Sequence, residues 1–234
     1  MSNFPSITLV LLPGMDGTGL LFAPFVRALP KWVKPVVVSY PPDQPLDYRG
    51  HLELVMAALP VDQPFFILGE SFSGPLALMA AAQRPKGLRG VILSATFVTW
   101  PLPVPPLLAR AFVALGLFRL KGTRLFLRTV LGSGASAELN ELFPQVLALL
   151  KPEVLAARAR AVMTVDCRVE LRECHLPLLA LVAERDRIIA GRCPETMQGI
   201  RPDMEVVHFD SPHLILQLAT VEAVTHICRF MNRC

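Results

Sequence analysis

The run from Phe65 to Gly74 places a serine on a sharp turn between a buried strand and a helix. This pattern is typical of the G-x-S-x-G nucleophile elbow, here with Ser73 at the fifth position and Gly74 directly after it. Glycine is needed in such a turn because neighbouring positions are too crowded for a Cβ atom. The turn lifts the hydroxyl of Ser71 out of the sheet edge and aims the following N–H groups at a reacting carbonyl. We therefore predict that Ser71 is a catalytic nucleophile.

Apolar, β-branched runs alternate with helical patterns along most of the chain. These runs predict strands at 6–12, 35–40, 65–70, 88–95, 178–184 and 204–209. Helical spacing of apolar residues predicts helices at about 21–29, 46–59, 73–84 and 214–231. Strands that are apolar on both faces and separated by helices indicate a parallel sheet with helices on both sides. The predicted fold class is α/β, with a mostly parallel six-stranded sheet.

The alternation breaks once, between residues 97 and 165. This region has no convincing strand, and Leu107, Ala111 and Leu115 recur at helical spacing. Glycines and the Lys151-Pro152 pair divide it into about four short helices. We predict a helical cap at 97–165, inserted into a core made of residues 1–96 and 166–234.

Three residues in the chain order serine, acid, histidine are candidates for a catalytic triad. A serine hydroxyl is a poor nucleophile at neutral pH, so it needs a base that is itself oriented by an acid. Ser71 is followed by Asp186, just after one predicted strand, and by His213, just after the next. Because the carboxyl ends of parallel strands meet at one edge of a sheet, we predict that these three side chains meet there.

Other acids and histidines compete for two of these roles. Glu184 is expected to belong to the strand, and Asp210 is too close to His213 in sequence to brace the far nitrogen of that ring easily. Asp186 could instead cap a helix. The remaining histidines do not follow a strand, and we expect them to be solvated or satisfied in the core. They are His51, His175, His208 and His226.

The glycine-rich loop at residues 12–19 follows the first predicted strand. Its glycines allow the backbone to approach a ligand closely. In nucleophile-elbow enzymes one oxyanion donor is the N–H of the residue after the nucleophile, here Phe72, and the second comes from this loop. Met15 is the predicted second donor. The glycine spacing does not match a dinucleotide or phosphate fingerprint, so no nucleotide site is expected.

Charge and cysteine content limit the class of protein. The formal net charge of +4 is small and no basic run is interleaved with aromatic residues, so nucleic-acid binding is not expected. Five cysteines without repeated spacing predict reduced thiols in a cytoplasmic protein. Cys167, Cys174 and His175 lack the spacing of a zinc site, and no metal or other cofactor is expected. The apolar runs predict neither a signal peptide nor a stable membrane insertion.

Four segments carry a resemblance to the α/β-hydrolase superfamily that extends over essentially the whole chain. They are Leu-Pro-Gly-Met-Asp-Gly, Gly-Glu-Ser-Phe-Ser-Gly, Glu-Arg-Asp-Arg-Ile-Ile and Ser-Pro-His. The predicted cap and the short length resemble small capped carboxylesterases of the pimeloyl-ACP methyl ester esterase type. The resemblance implies a serine esterase with an acyl-enzyme intermediate, and a carrier-linked methyl ester of biotin biosynthesis as one candidate substrate.

The predicted cap also carries the excess positive charge, with eight Lys or Arg residues and three Glu residues. Solvated helix faces would explain this charge. An acidic acyl carrier protein docking on the cap would explain it too, with Arg124, Arg128 and Arg158 as candidate contacts. Candidate acyl-pocket residues, each of which could equally be a core residue, are Leu20, Phe97, Trp100 and Phe143.

The triad alone does not select one reaction. Thioesterases, lactonases and acyltransferases use the same three residues, because the pocket chooses the leaving group and the acceptor. A binding protein of the same fold that keeps the triad for ligand capture is the alternative outside enzymes.

Overall fold

One six-stranded sheet forms the centre of the molecule. The computed structural model describes residues 6–102, 130–132 and 134–234. Within these residues the strand order is β2-β1-β3-β4-β5-β6, and every neighbouring pair is parallel. The strands are β1 (Ile7–Leu12), β2 (Val33–Val37), β3 (Phe65–Glu70), β4 (Leu88–Ser94), β5 (Leu178–Ala183) and β6 (Glu205–Phe209). The predicted α/β class and parallel sheet are confirmed.

Nine α-helices and two 3-10 helices lie within the described residues. The α-helices are α1 (Ala23–Ala28), α2 (Tyr48–Ala58), α3 (Gly74–Ala82), α4 (Ala137–Ala148), α5 (Pro152–Thr164), α6 (Arg168–Glu173), α7 (Arg192–Ile200), α8 (Ile215–Leu218) and α9 (Thr220–Met231). The 3-10 helices are Leu20–Phe22 and Ser71–Ser73.

Each face of the sheet packs against its own set of helices. Alternate residues of a strand point to opposite faces. In β3, Phe65 and Ile67 therefore join the core with α2, α3, α6 and α7, whereas Phe66 and Leu68 join the core with α1, α8 and α9. Both faces are buried, which explains why the strands read as continuous apolar runs.

Helices α4 and α5 lie in the chain between β4 and β5 and form a third hydrophobic cluster. This cluster joins Phe143 of α4 and Leu155 of α5 to Leu21 and to Leu214, which follows His213. Met15 and Ile188 are partly buried and pack against both this cluster and the core on one face of the sheet. The third cluster therefore lies over the loops that leave the carboxyl ends of the strands.

Several predicted boundaries differ from the structure. The second strand ends at Val37, not at residue 40, because Tyr40 pairs with the loop after β1: its N–H donates to Gly17. Helices α6 and α7 were not predicted, since α6 buries only Leu171 and α7 only Cys193 and Met197, too few for a visible stripe. The helix predicted at 214–231 is divided into α8 and α9. The spacing from Leu107 to Leu115 lies outside the described residues.

Candidate active site

Ser71 occupies a strained turn directly after β3. Its φ of +50° lies in the left-handed region of backbone conformation, which residues other than glycine rarely adopt. An added Cβ on Gly69 would lie 2.8 Å from the carbonyl carbon of Ser73, and one on Gly74 would lie 2.7 Å from Cβ of Thr96. Only glycine therefore fits on either side of this turn. The hydroxyl of Thr96 donates to the backbone carbonyl of Ser71 and helps to hold it.

The structure brings Ser71, His213 and Asp186 together in series. The distance from Nε2 of His213 to Oγ of Ser71 is 2.8 Å, and that from Nδ1 of His213 to Oδ2 of Asp186 is 2.7 Å. The side chains of His213 and Asp186 are each only 6% exposed. The backbone N–H groups of Ile188 and Ile189 donate to Oδ1 of Asp186 and fix the carboxylate from behind. This arrangement can transfer a proton from the serine hydroxyl to the imidazole.

The competing acids lie elsewhere. Glu184 has a side chain that is 56% exposed and lies 3.8 Å from His208, and Asp210 is 79% exposed and pairs with Arg185. Of the other histidines, His51 is fully buried in α2, where its Nδ1 lies 2.6 Å from the carbonyl oxygen of Asp47. Among the residues that the structure describes, neither alternative acid forms a hydrogen bond or an ion pair with His213.

The loop from Pro13 to Gly17 lies against the nucleophile. An added Cβ on Gly14 would lie 3.7 Å from Cβ of Ser71. The N–H of Gly17 donates to the carbonyl of Gly14 at 3.0 Å and closes a turn around Met15. Because N–H and C=O point in opposite directions across a trans peptide, the N–H of Met15 points away from the interior of this turn. Within the described residues this N–H donates no hydrogen bond, so it is available to a ligand.

Ser73 is a site residue that the sequence did not predict. It occupies the position of the second glycine of the elbow motif and is fully buried. Its hydroxyl donates to the carbonyl of Pro13. The hydroxyl oxygen of Tyr40 lies 2.8 Å from Oγ of Ser73, and because Ser73 gives its own proton to Pro13, Tyr40 is the donor to Ser73. Burial raises the pKa of Tyr40 well above its ordinary value, so Tyr40 keeps this proton at any physiological pH. The elbow and the loop after β1 are therefore tied together.

Glu70, directly before the nucleophile, was not predicted as a site residue either. It is 2% exposed, and its Oε2 accepts a 3.3 Å hydrogen bond from Gln217, while its Oε1 has no partner among the described residues. Burial, with a smaller contribution from Asp16, raises the pKa of Glu70 to about 7. The residue directly before the nucleophile therefore carries a buried carboxyl group with a pKa near neutral pH.

The candidate acyl-pocket residues lie in different environments. Phe97 is buried in the core on one face of the sheet, and Trp100 is half-buried against the same core. Phe143 is buried in the third cluster, whereas Leu20 is 48% exposed. Their role in substrate binding remains a prediction.

The candidate carrier-docking residues require one correction. Arg124 and Arg128 lie outside the described residues. Arg158 is fully buried and bonds to backbone carbonyls, so the prediction that it contacts a docking partner is wrong. A formal charge in a helix of mixed pattern does not reveal which side of the helix faces inward.

Three further features bear on the class of site. All five cysteines are unpaired. Among residues 6–102, 130–132 and 134–234, no group of three or more His, Cys, Asp or Glu side chains could hold a metal ion. No helix in that part of the chain has the length and apolar character needed to cross a membrane.

Comparison with protein families identifies the chain's relatives. A family model described as serine aminopeptidase, S33, matches residues 45–199, which is more than half of the chain and includes Ser71 and Asp186. The chain belongs to this family. Membership places the protein among hydrolytic enzymes with the α/β-hydrolase fold, as its sheet topology also indicates.

Solved structures of other proteins share the fold of this chain. An esterase from Exiguobacterium antarcticum superimposes with a TM-score of 0.84 at 15% identity, over 97% of this chain and 92% of that one. An enol-lactonase from Burkholderia xenovorans superimposes with a TM-score of 0.77 at 16% identity, over 99% and 94% of the two chains.

A curated relative matches a shorter segment. Over 83 residues the chain is 36% identical to phytyl ester synthase 1, chloroplastic, of Arabidopsis thaliana. That segment is 33% of this chain and only 12% of the relative. The match therefore covers a small part of the relative.

Proposed function

We propose that the protein is a carboxylic ester hydrolase that works through an acyl-enzyme on Ser71. The observation that carries the proposal is the continuous series of hydrogen bonds from Ser71 through His213 to Asp186, at 2.8 and 2.7 Å. A serine, an imidazole and a buried carboxylate in this order form the proton-transfer arrangement of serine hydrolases.

The reaction proceeds in two acyl-transfer steps. Nε2 of His213 takes the proton of Ser71 as the serine oxygen attacks the ester carbonyl, and the N–H groups of Met15 and Phe72 stabilise the resulting oxyanion. Asp186 accepts the Nδ1–H bond and stabilises the imidazolium. The imidazolium then donates the proton to the departing alcohol. Water attacks the acyl-enzyme by the same route and releases the acid.

Replacement of the nucleophile tests the assignment. We expect Ser71→Ala to abolish turnover of p-nitrophenyl butyrate while the melting temperature and circular dichroism stay those of a folded protein. A fluorophosphonate should label the wild type at Ser71 and inhibit it. A wild-type protein that binds esters but is neither labelled nor active would instead support the non-catalytic binding alternative, and turnover retained in Ser71→Ala would refute the nucleophile assignment.

Acyl transfer to an alcohol is the second candidate reaction. The 83-residue similarity to a phytyl ester synthase favours it, since an alcohol can replace water as the acceptor of the acyl group on the same serine. Incubation of the protein with an activated acyl donor and a long-chain alcohol separates the two reactions. Formation of an ester in preference to free acid would favour the transferase.

A carrier-linked substrate is a narrower form of the esterase proposal. It rests on the basic residues between positions 97 and 165, above all Arg124 and Arg128. Charge reversal of both residues should lower turnover of an ester linked to acyl carrier protein and leave turnover of a small free ester unchanged. An equal loss with both substrates would exclude a docking role.

A further inference from the structure

Arg158 of α5 is a fully buried cation that the proposed mechanism does not use. It is the largest completely buried side chain among the described residues, and it forms no salt bridge within that part of the chain. Burial lowers its pKa, and the nearby carboxylate of Asp16 opposes that change. An arginine nevertheless remains charged in a protein. Burying this charge carries a large desolvation cost, which its hydrogen bonds must offset.

Among the described residues, this guanidinium forms three hydrogen bonds, and all of them go to backbone carbonyls of loops at the carboxyl edge of the sheet. Nη1 donates to Met15 at 2.9 Å and to Asp16 at 2.8 Å, and Nη2 donates to Pro41 at 3.2 Å. An added Cβ on Gly17 would lie 2.7 Å from Cζ of Arg158, so the guanidinium lies directly against the loop. Hydrogen bonds from a charged donor are about twice as strong as neutral ones.

Every backbone carbonyl of the oxyanion loop, defined as Pro13 to Gly17, accepts a hydrogen bond. The carbonyl of Pro13 accepts from the hydroxyl of Ser73. The carbonyl of Gly14 accepts from the N–H of Gly17, and the carbonyl of Gly17 accepts from the N–H of Tyr40. The guanidinium of Arg158 donates to the remaining two carbonyls, those of Met15 and Asp16. Because the peptides on both sides of Met15 are tied, the backbone angles of Met15 are fixed, and with them the direction of its N–H.

We propose that Arg158 is a positioning residue that holds the oxyanion loop so that the N–H of Met15 faces the reacting carbonyl. This inference rests on the proposed function. Helix α5 also bonds to the neighbouring loop at its start, where the N–H of Lys151 donates to Pro42 at 3.2 Å. The helices between β4 and β5 and the oxyanion loop are therefore mechanically connected. Movement of α5 would therefore change the position of the oxyanion loop and with it the stabilisation of the transition state.

Removal of the guanidinium should lower kcat and leave KM nearly unchanged. Loss of one oxyanion donor typically costs about 10²- to 10³-fold in kcat, which sets the upper range for Arg158→Met. Arg158→Lys keeps the charge but lacks the planar fork that reaches several carbonyls, so an intermediate loss is expected. Arg160→Met is the matched control, because Arg160 lies on the same helix and is exposed.

A tetrahedral inhibitor separates positioning from general support of the fold. A trifluoromethyl ketone forms an oxyanion on the serine, so its affinity should fall in Arg158→Met by about the factor lost in kcat/KM. Affinity for the product alcohol, which carries no negative charge, should not fall. If Arg158→Met does not fold, Arg158→Lys and Ser73→Ala are decisive, since Ser73→Ala releases the Pro13 carbonyl by removing one small hydroxyl.

The outcomes are distinguishable. Wild-type kcat and inhibitor affinity in Arg158→Lys and Ser73→Ala, or equal losses for the inhibitor and the product alcohol in Arg158→Met, would overturn the positioning role while the esterase proposal stands. Absence of both wild-type turnover and fluorophosphonate labelling would remove the proposed function itself.

Discussion

The buried carboxyl group of Glu70 should make the stability of the protein fall as pH rises from about 4.5 to about 7. Burial raises the pKa of Glu70 from 4.5 to about 7 in the folded protein. A pKa difference of this size between the unfolded and the folded state corresponds to about 3 kcal/mol of unfolding free energy. Glu70→Gln keeps the shape of the side chain and removes the titration, so the variant isolates this contribution.

The direction follows from proton binding. Below pH 4.5 both states carry the Glu70 proton, so the group does not affect stability. Between pH 4.5 and 7 the folded state retains a proton that the unfolded state has released, so the unfolding free energy declines as pH rises. Above pH 7 the full cost of a buried carboxylate is present. The stability of Glu70→Gln relative to wild type should therefore increase by about 3 kcal/mol from pH 4 to pH 8.5.

Urea denaturation of both proteins between pH 4 and pH 8.5 measures this difference. In thermal melts it corresponds to roughly 6 to 12 °C for a chain of this length. Glu53→Gln is the control, because Glu53 is exposed on α2 and its replacement should leave the pH profile unchanged. Parallel profiles for Glu70→Gln and wild type would refute the reasoning, since they would mean that Glu70 ionises normally in the folded protein.

Two further substitutions test the geometry of the site. Asp186→Asn should lower kcat toward p-nitrophenyl butyrate by up to about 10⁴-fold with little change in melting temperature, because the imidazole loses the acceptor that orients it. Asp210→Asn is the control and should be neutral, because Asp210 is exposed. Near-normal activity in Asp186→Asn would contradict the triad. Gly74→Ala should cost about 1–3 kcal/mol in urea denaturation, because its Cβ would lie 2.7 Å from Cβ of Thr96. Gly199→Ala, also in a helix but with nothing within 4 Å, should be neutral or stabilising, and equal effects at the two glycines would argue against the close contact at Gly74.

The strands and the order of the site residues were readable because they depend on local pattern. Both faces of β3 are buried, so its apolar run was visible, and the turn at Ser71 needs Gly69 and Gly74 wherever it occurs. Asp186 and His213 follow strands, and parallel strands bring their carboxyl ends to one edge. Residues that are distant in sequence were therefore correctly expected to be neighbours.

Only the tertiary structure decided which way polar side chains on helices and turns point. Arg158 reads as one more basic residue of a charged helix, yet it is fully buried against the oxyanion loop. Ser73 reads as an ordinary small residue, yet it ties the elbow to Pro13. The local sequence pattern determines the secondary structure and the order of the catalytic residues along the chain. A buried polar contact depends instead on which distant backbone carbonyl is left without a hydrogen-bond donor. That partner is defined only once the loops have packed.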